Sequence, residues 1–254
     1  PIDREELRAQ LGFAAISPNS IDAVSDRDWI VELLFTAAML GTHLSRLAED
    51  LVLFASTEFG FVRMSDQYST GSSLMPQKRN PDAMELTRGK AGTLIGALVA
   101  GLTMLKGLPT GYNKDLQDDK ATLFSTFDTL ETLLPAVTGT IRTMEVQVNR
   151  CAAAVDAAML ATDLADFLVR EGVPFREAHE MVGRLVRMAE ERKVALDALP
   201  AELFAQVSPV FAGAQIERLF DPVASLSARA AQGGTAPVAV QRQIEMLRAE
   251  LGTR

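Results

Sequence analysis

The sequence predicts an all-α protein, a long-helix bundle followed by a smaller helical C-terminal domain. Three observations carry that reading. Apolar residues recur at alternating steps of four and three over long stretches. No stretch shows the period of two expected of a half-buried strand. Gly, Pro and Asp stops mark off the segments between.

Residues Pro1 to Gly12 are charged and polar and carry no signal-peptide pattern. The chain begins without Met, in what reads as a polar connection, and is expected to be a piece of a longer protein. After Ser17-Pro18-Asn19-Ser20 a helix should begin near Ser25 or Asp26, with Asp28 in its first turn. Leu33, Ala37, Leu40, Leu44, Leu47, Leu51 and Phe54 then form a heptad seam, widened by Leu34, Met39 and Val52. Continued to Phe59, this helix would be about 50 Å long. A second helix should start at Asn80-Pro81, with Asn as cap and Pro in the first turn, and run to Leu105. Gly107, Pro109 and Gly111 end it. A third repeats the seam through Leu123, Phe127, Leu130, Leu134, Val137, Ile141, Met144 and Val148, with Pro135 expected to kink it. The width of these seams implies helices of other subunits packing alongside, with a monomeric bundle as the alternative reading of the same patterns.

Near Cys151 the helical segments become shorter: Val155 to Arg170, Pro174 to Arg192, Leu196 to Val207, Pro222 to Ala230 and Pro237 to Leu251. A boundary is placed there, giving a central bundle domain over 1–150, which includes a polar loop at 69–81, and a small helical domain over 151–254.

Composition narrows the function. Apolar residues make up 48% and charged residues 23%, an ordinary globular balance. A formal net charge of −8 repels phosphate backbones and argues against nucleic acid as a partner. The uncharged stretch Ala91 to Leu105 falls short of the roughly 20 residues of a membrane span, so no membrane is expected. One cysteine, Cys151, permits no intrachain disulfide and fits a reducing, cytoplasmic setting. Neither metal-ligand spacing nor a cofactor fingerprint occurs, and no cofactor is expected.

The loop Ser69-Thr70-Gly71-Ser72-Ser73-Leu74-Met75-Pro76-Gln77-Lys78-Arg79-Asn80-Pro81 has no core-forming pattern. It brings two cations to the start of a long helix, where unpaired N–H groups and the helix dipole already favour anions. That describes a carboxylate or phosphate site, and the loop is long enough to close over a ligand. It reads equally well as a solvated connection with an Asn-Pro cap. The spacing of a Walker-type phosphate loop is absent.

Gly71 to Pro81 resembles the signature loop of the fumarase–aspartase–argininosuccinate lyase superfamily, Gly-Ser-Ser-x-Met-Pro-x-Lys-x-Asn-Pro. Gln77 after Met-Pro is similar to argininosuccinate lyases, whereas adenylosuccinate lyases usually carry His there and fumarases Gly. The segments Ser20 to Asp28, Gly111 to Lys120 and Pro174 to Glu180 agree. The resemblance covers essentially the whole chain but only the second half of the enzyme.

The resemblance implies an anti elimination of fumarate from argininosuccinate through a carbanion held as an aci-carboxylate. It implies Ser72 as the general base, Lys78 as stabiliser of alkoxide and intermediate, and Glu85 as the group orienting Lys78. Asn80 would bind the succinyl part, and Tyr112, Gln117 and Lys120 match substrate-binding positions. Arg27 is placed near the site, although a surface ion pair explains it equally well. His43 and His179 read as structural, since the family's acid–base histidine belongs to the N-terminal half. The resemblance also implies a homotetramer whose active sites are each built from three subunits. Two alternatives stay open: a sister fumarate-releasing lyase such as adenylosuccinate lyase, and a non-catalytic relative of the crystallin type.

Overall fold

The computed structural model describes residues 1–71, 73–75 and 79–252. Its contacts divide the chain into two compact units, Pro1–Arg150 and Cys151–Arg254.

In the first unit, α1 (Arg4–Leu11) is capped by the Asp3 carboxylate, which accepts the N–H groups of Glu5 and Glu6. A short α2 (Ser20–Ser25), capped by Asn19, occupies what the sequence read as a polar connection. The first long helix, α3, covers Asp28–Phe54. It starts later than anticipated because Asp26 is extended and its side chain accepts the Asp28 N–H. It also ends earlier than Phe59. Gly60 turns the chain in the left-handed region (φ +60), the Phe61 N–H returns to the Phe54 carbonyl, and Phe54, Phe59 and Phe61 pack ring against ring.

The chain then forms β1 (Val62–Arg63), β2 (Thr70–Gly71) and β3 (Arg79–Asn80) before α4 (Asp82–Leu105). A 3-10 turn at Lys114–Asp118 leads into α5 (Asp119–Thr143), which is helical through Pro135. The third seam does not continue to Val148. The backbone leaves the helix at Met144, and β4 (Glu145–Val146) pairs antiparallel with β1. These two-residue pairings lie outside the sequence expectation, because two residues cannot display a period.

The long helices α3, α4 and α5 pack as an antiparallel bundle, and their closest approach is made at small residues. A Cβ on Gly41 would lie 2.7 Å from Leu94 Cδ1, and one on Gly101 2.8 Å from Leu34 Cδ1. Leu34 and Leu94 are themselves fully buried. The buried face of α3 is Ile30, Leu34, Ala37, Ala38, Gly41, Ala48 and Leu51. Of the heptad seam read on this helix, only Ala37 and Leu51 are buried, while Leu47 and Phe54 are exposed. Along α5 the buried residues are Asp119, Leu123, Thr126, Leu133, Val137 and Thr140. Phe127, Leu134 and Ile141 of its seam are exposed. Thr87, Thr126 and Thr140 can sit inside because each hydroxyl donates to the carbonyl one turn back, at 2.7–2.8 Å.

Among the described residues α3 alone is long and apolar enough to cross a membrane. Its Glu49, however, pairs with Arg88 of α4 at 2.5 Å, and its small-residue face is spent on that neighbour.

The second unit carries α6 (Val148–Ala153) at its junction, then α7 (Ala161–Arg170), α8 (Phe175–Arg192), α9 (Ala201–Val207), α10 (Ile216–Leu219), α11 (Pro222–Ala228) and α12 (Pro237–Gly252). The helix anticipated from Val155 begins instead with a 3-10 turn at Ala157–Leu160, capped by Asp156. The one anticipated over Leu196 to Val207 is split, because Pro200 cannot donate and forces a new start after Leu196–Ala198. Leu164, Leu168, Leu185, Phe204 and Phe211 form the core of this unit. The Asp163 carboxylate ties α7 to α11, accepting from Ser225 Oγ at 2.9 Å and from Arg229 at 3.0 and 3.2 Å.

Gly101→Ala should lower stability by about 1–3 kcal/mol through overpacking against Leu34. Gly96→Ala, where nothing lies within reach of the new methyl, should instead stabilise by up to ~1 kcal/mol through helix propensity. Urea unfolding of the two variants checks the pair, and equal effects would contradict the close approach.

Candidate active site

The polar loop is held at its neck by four described residues. Thr70 pairs with Asn80 and Gly71 with Arg79 in an antiparallel two-rung ladder. The Thr70 hydroxyl donates to the Asp82 carboxylate in the first turn of α4, and Arg79 forms an ion pair with Asp66. Just before the loop, Ser69 Oγ donates to the Ser65 carbonyl at 2.9 Å. Ser65 Oγ lies 2.9 Å from Thr143 Oγ1 at the end of α5. The Tyr68 ring lies so close to Gly139 of α5 that no side chain could be placed there. The neck is therefore fastened at both feet, to the start of α4 and to the end of α5.

Within the loop, Leu74 and Met75 are exposed. Ser72, Pro76, Gln77 and Lys78 lie outside the described residues, so the expected base and its cationic partner have no geometry to report. Asn80 is half-buried in β3, its place in the ladder leaving it outside α4. The cap position of α4 is Pro81, whose carbonyl accepts the Met84 and Glu85 N–H groups. Glu85 is exposed in the first turn. Its nearby cation Arg88 is committed to Glu49.

The second group of expected residues gathers around the turn into α5. Gly111 takes the left-handed conformation (φ +93), and Asn113 Nδ2 closes the turn on the Pro109 and Gly111 carbonyls at 3.3 and 3.2 Å. Buried Leu116 pins the 3-10 segment, leaving Tyr112 and Gln117 exposed beside it. Arg27 and Lys120 meet on one carboxylate. Arg27 Nε donates to Asp119 Oδ2 at 2.6 Å, and Lys120 Nζ to Asp119 Oδ1 at 2.8 Å. Asp119 is only 4% exposed. Burial alone would push its carboxyl up. The bonds and charges of Lys120 and Arg27 outweigh that and hold it below the ordinary carboxylate value. A cavity of about 500 Å³ adjoins this turn, lined by Asn19, Ile21, Asp22, Leu108, Thr110 and Leu116 among others.

These two groups do not meet within the chain. The loop joins the start of α4 and the ends of α3 and α5, whereas Arg27 and Lys120 lie at the starts of α3 and α5. The 24 residues of α4 separate them by about 36 Å. Sequence reading missed Asp119, which nothing distinguishes from Asp118 beside it and whose Arg27 partner is 92 positions away. It also missed the Thr70–Asp82 fastening. The seat of Tyr68 had a faint signal in Gly139, a glycine inside a long helix. Among the described residues no group of His, Cys, Asp and Glu is placed to hold a metal ion.

The long helices, with a polar loop at one end and Arg27 and Lys120 gathered on Asp119 at the other, agree with the lyase families to which the chain is similar. The family described as "Lyase" matches residues 1–96, and the one described as "Argininosuccinate lyase C-terminal" matches residues 158–227. The argininosuccinate lyase of Roseiflexus sp. (strain RS-1) is 59% identical over 247 residues, 97% of this chain and 54% of the relative. That of Schizosaccharomyces pombe (strain 972) is 46% identical over 250 residues, 98% of this chain and 54% of the relative. A solved EDDS lyase in complex with formate superposes with a TM-score of 0.82 at 30% identity, over 100% of this chain and 52% of that one. Over nearly its whole length the chain is similar to argininosuccinate lyases. It spans about half the length of the curated relatives it matches.

The depressed carboxyl of Asp119 has a consequence for stability. Its contribution is whole above the unfolded value of about 4 and is lost as pH falls through the lower folded value. Asp119→Asn should therefore unfold more easily than wild type at neutral pH, and the gap should close on acidification below about pH 4. Thermal unfolding of both chains across this range checks it; a gap independent of pH contradicts it.

Proposed function

We propose that this chain supplies the fumarate-forming half of an argininosuccinate lyase active site, cleaving argininosuccinate reversibly to fumarate and arginine in arginine biosynthesis. The observation that carries the reading is identity of 46–59% to curated argininosuccinate lyases over nearly the whole chain, against 30% to the EDDS lyase.

In this reading Ser72 takes the proton beside the succinyl carboxylate, and the electron pair is held as the aci-carboxylate. The carbon–nitrogen bond then breaks, and arginine leaves with a proton from an acid on the N-terminal half. Lys78 stabilises the serine alkoxide and the intermediate, Glu85 orients Lys78, and Asn80 binds the succinyl group. Tyr112, Gln117, Lys120 and Arg27 receive the substrate's other polar groups.

The reading requires association. Residues about 36 Å apart on one bundle can share a small substrate only if different copies contribute them, and we propose a homotetramer. Exposed Phe35, Leu86, Ile95, Val99, Leu102 and Phe124 on the long helices support it, because a lone bundle would leave them in water. A cytoplasmic location accords with the single Cys151.

A chimera joining the N-terminal half of the Roseiflexus sp. lyase to this chain tests the proposal. It should assemble as a tetramer and release fumarate from argininosuccinate but not from adenylosuccinate, while this chain alone shows little or no turnover. Ser72→Ala should lower kcat by about 10²- to 10⁴-fold. A folded tetramer that prefers adenylosuccinate, or that keeps its rate without the Ser72 hydroxyl, would refute it.

A further inference from the structure

We propose that Asp119 is a positioning residue: a buried carboxylate that holds Lys120 and Arg27 together as one clamp for an anionic group of the substrate. The inference rests on the proposed function for the identity of the substrate, but its geometry stands apart from it.

Two cations brought together at the start of a long helix face three penalties. They repel each other, they lie at the positive end of the α5 dipole, and one of them, Arg27, is 17% exposed on its side chain and so largely stripped of water. Asp119 answers all three, being the first residue of α5 and nearly buried. Each of its oxygens is given to a different cation, Oδ2 to Arg27 and Oδ1 to Lys120. A carboxylate serving only to neutralise Arg27 would take a two-pronged grip from that guanidinium. Here Arg27 offers only Nε to Asp119, while its Nη1 is turned to the Asp26 carbonyl at 2.7 Å.

The trio keeps one net positive charge, and the part of it facing solvent is Lys120, whose side chain is 58% exposed. Lysine is a flexible point charge and would otherwise sample many rotamers. Anchored by Asp119 Oδ1, its ammonium keeps two further hydrogens for an incoming carboxylate. Tyr112 and Gln117, exposed on the same turn, are neutral and add no competing charge. Asp119 thus acts through Lys120, and removing it should loosen substrate binding more than it slows the chemical step.

A double-mutant cycle in the Roseiflexus chimera decides this. Lys120→Gln and Asp119→Asn should each raise KM for argininosuccinate by roughly tenfold with kcat within about threefold, the scale of one charge-assisted contact. The double variant should fall well short of the product of the two single losses, because Asp119 works in part through Lys120. Losses that multiply would overturn the proposal, as would an unchanged KM in Asp119→Asn.

The clamp can also be read without turnover, by competitive acetylation of Lys120 against exposed Lys106 in this chain and its Asp119→Asn variant. Release of the ammonium should speed acetylation of Lys120 relative to Lys106 by at least about threefold, because a nitrogen held on the Asp119 carboxylate must first leave it to reach the reagent. Equal rates in the two chains overturn the clamp. An inactive chimera with faster acetylation instead refutes the argininosuccinate assignment and leaves the clamp standing. Should Asp119→Asn fail to fold, Asp119→Glu keeps the charge but moves it, and an unaltered KM there would be equally fatal.

Discussion

The close antiparallel contact of α3 with α4 sets the geometry on which everything else depends. Gly41 admits Leu94 and Gly101 admits Leu34, two notches about two helical turns apart facing opposite ways along the pair. Packing interiors are dense and tolerate little slippage. Two such notches therefore fix the register of one helix on the other, not only its distance. Register in turn decides that the start of α4 lies beside the end of α3, and that the starts of α3 and α5 share the far end, where Arg27 reaches Asp119. The separation of the two groups of polar residues follows from that register.

Much of the architecture was legible because long helices write their period many times over. The existence of α3, α4 and α5, the end of α4 at Leu105 and the change to shorter helices after Cys151 all rest on repeated signals. What the seams did not reveal was their direction. Many of the residues buried between the long helices are small or hydroxylated, Ala37, Gly41, Ala48, Thr126 and Thr140, and these contribute little to a hydrophobic pattern. Several large residues of the seams, Leu47, Phe127, Leu134 and Ile141, remain exposed. Where two helices approach through glycine and alanine, bulky side chains are displaced to the flanks, and a reading by hydrophobicity follows the flanks. Boundaries failed for a more local reason. A single extended Asp26, a glycine at 60 and a proline at 200 each redirect the backbone with energies of a few kcal/mol, too local to disturb a periodic pattern.

The candidate site divides in the same way. The loop from Ser69 to Pro81 was legible because its residues are contiguous and unusual together. Its fastenings were not, since they pair Thr70 with Asp82, Tyr68 with Gly139 and Ser65 with Thr143, contacts that only the folded chain brings about. The expected ion pair of Arg27 was half right. It exists, but its partner is a nearly buried carboxylate across the bundle instead of a neighbour on the surface. No spacing rule connects positions 92 apart, and Asp118 and Asp119 look alike until one of them turns inward.

For the proposed function an acidic chain must concentrate cations around an anion, and the two ends of this bundle would do so by different physics. At the loop end the positive field comes from the backbone, through the unpaired N–H groups and dipole of α4, with Arg79 neutralised by Asp66. At the far end it comes from side chains, with a buried aspartate permitting two cations to stand together. Neither device raises the net charge of the molecule, which stays at −8. Each acts over a few ångströms, well inside the screening length of about 8 Å at physiological salt. Local fields of that reach cannot cooperate across about 36 Å of one bundle. In the proposed tetramer the loop end of one copy would lie against the cation end of another, which would make assembly part of the electrostatics of the site.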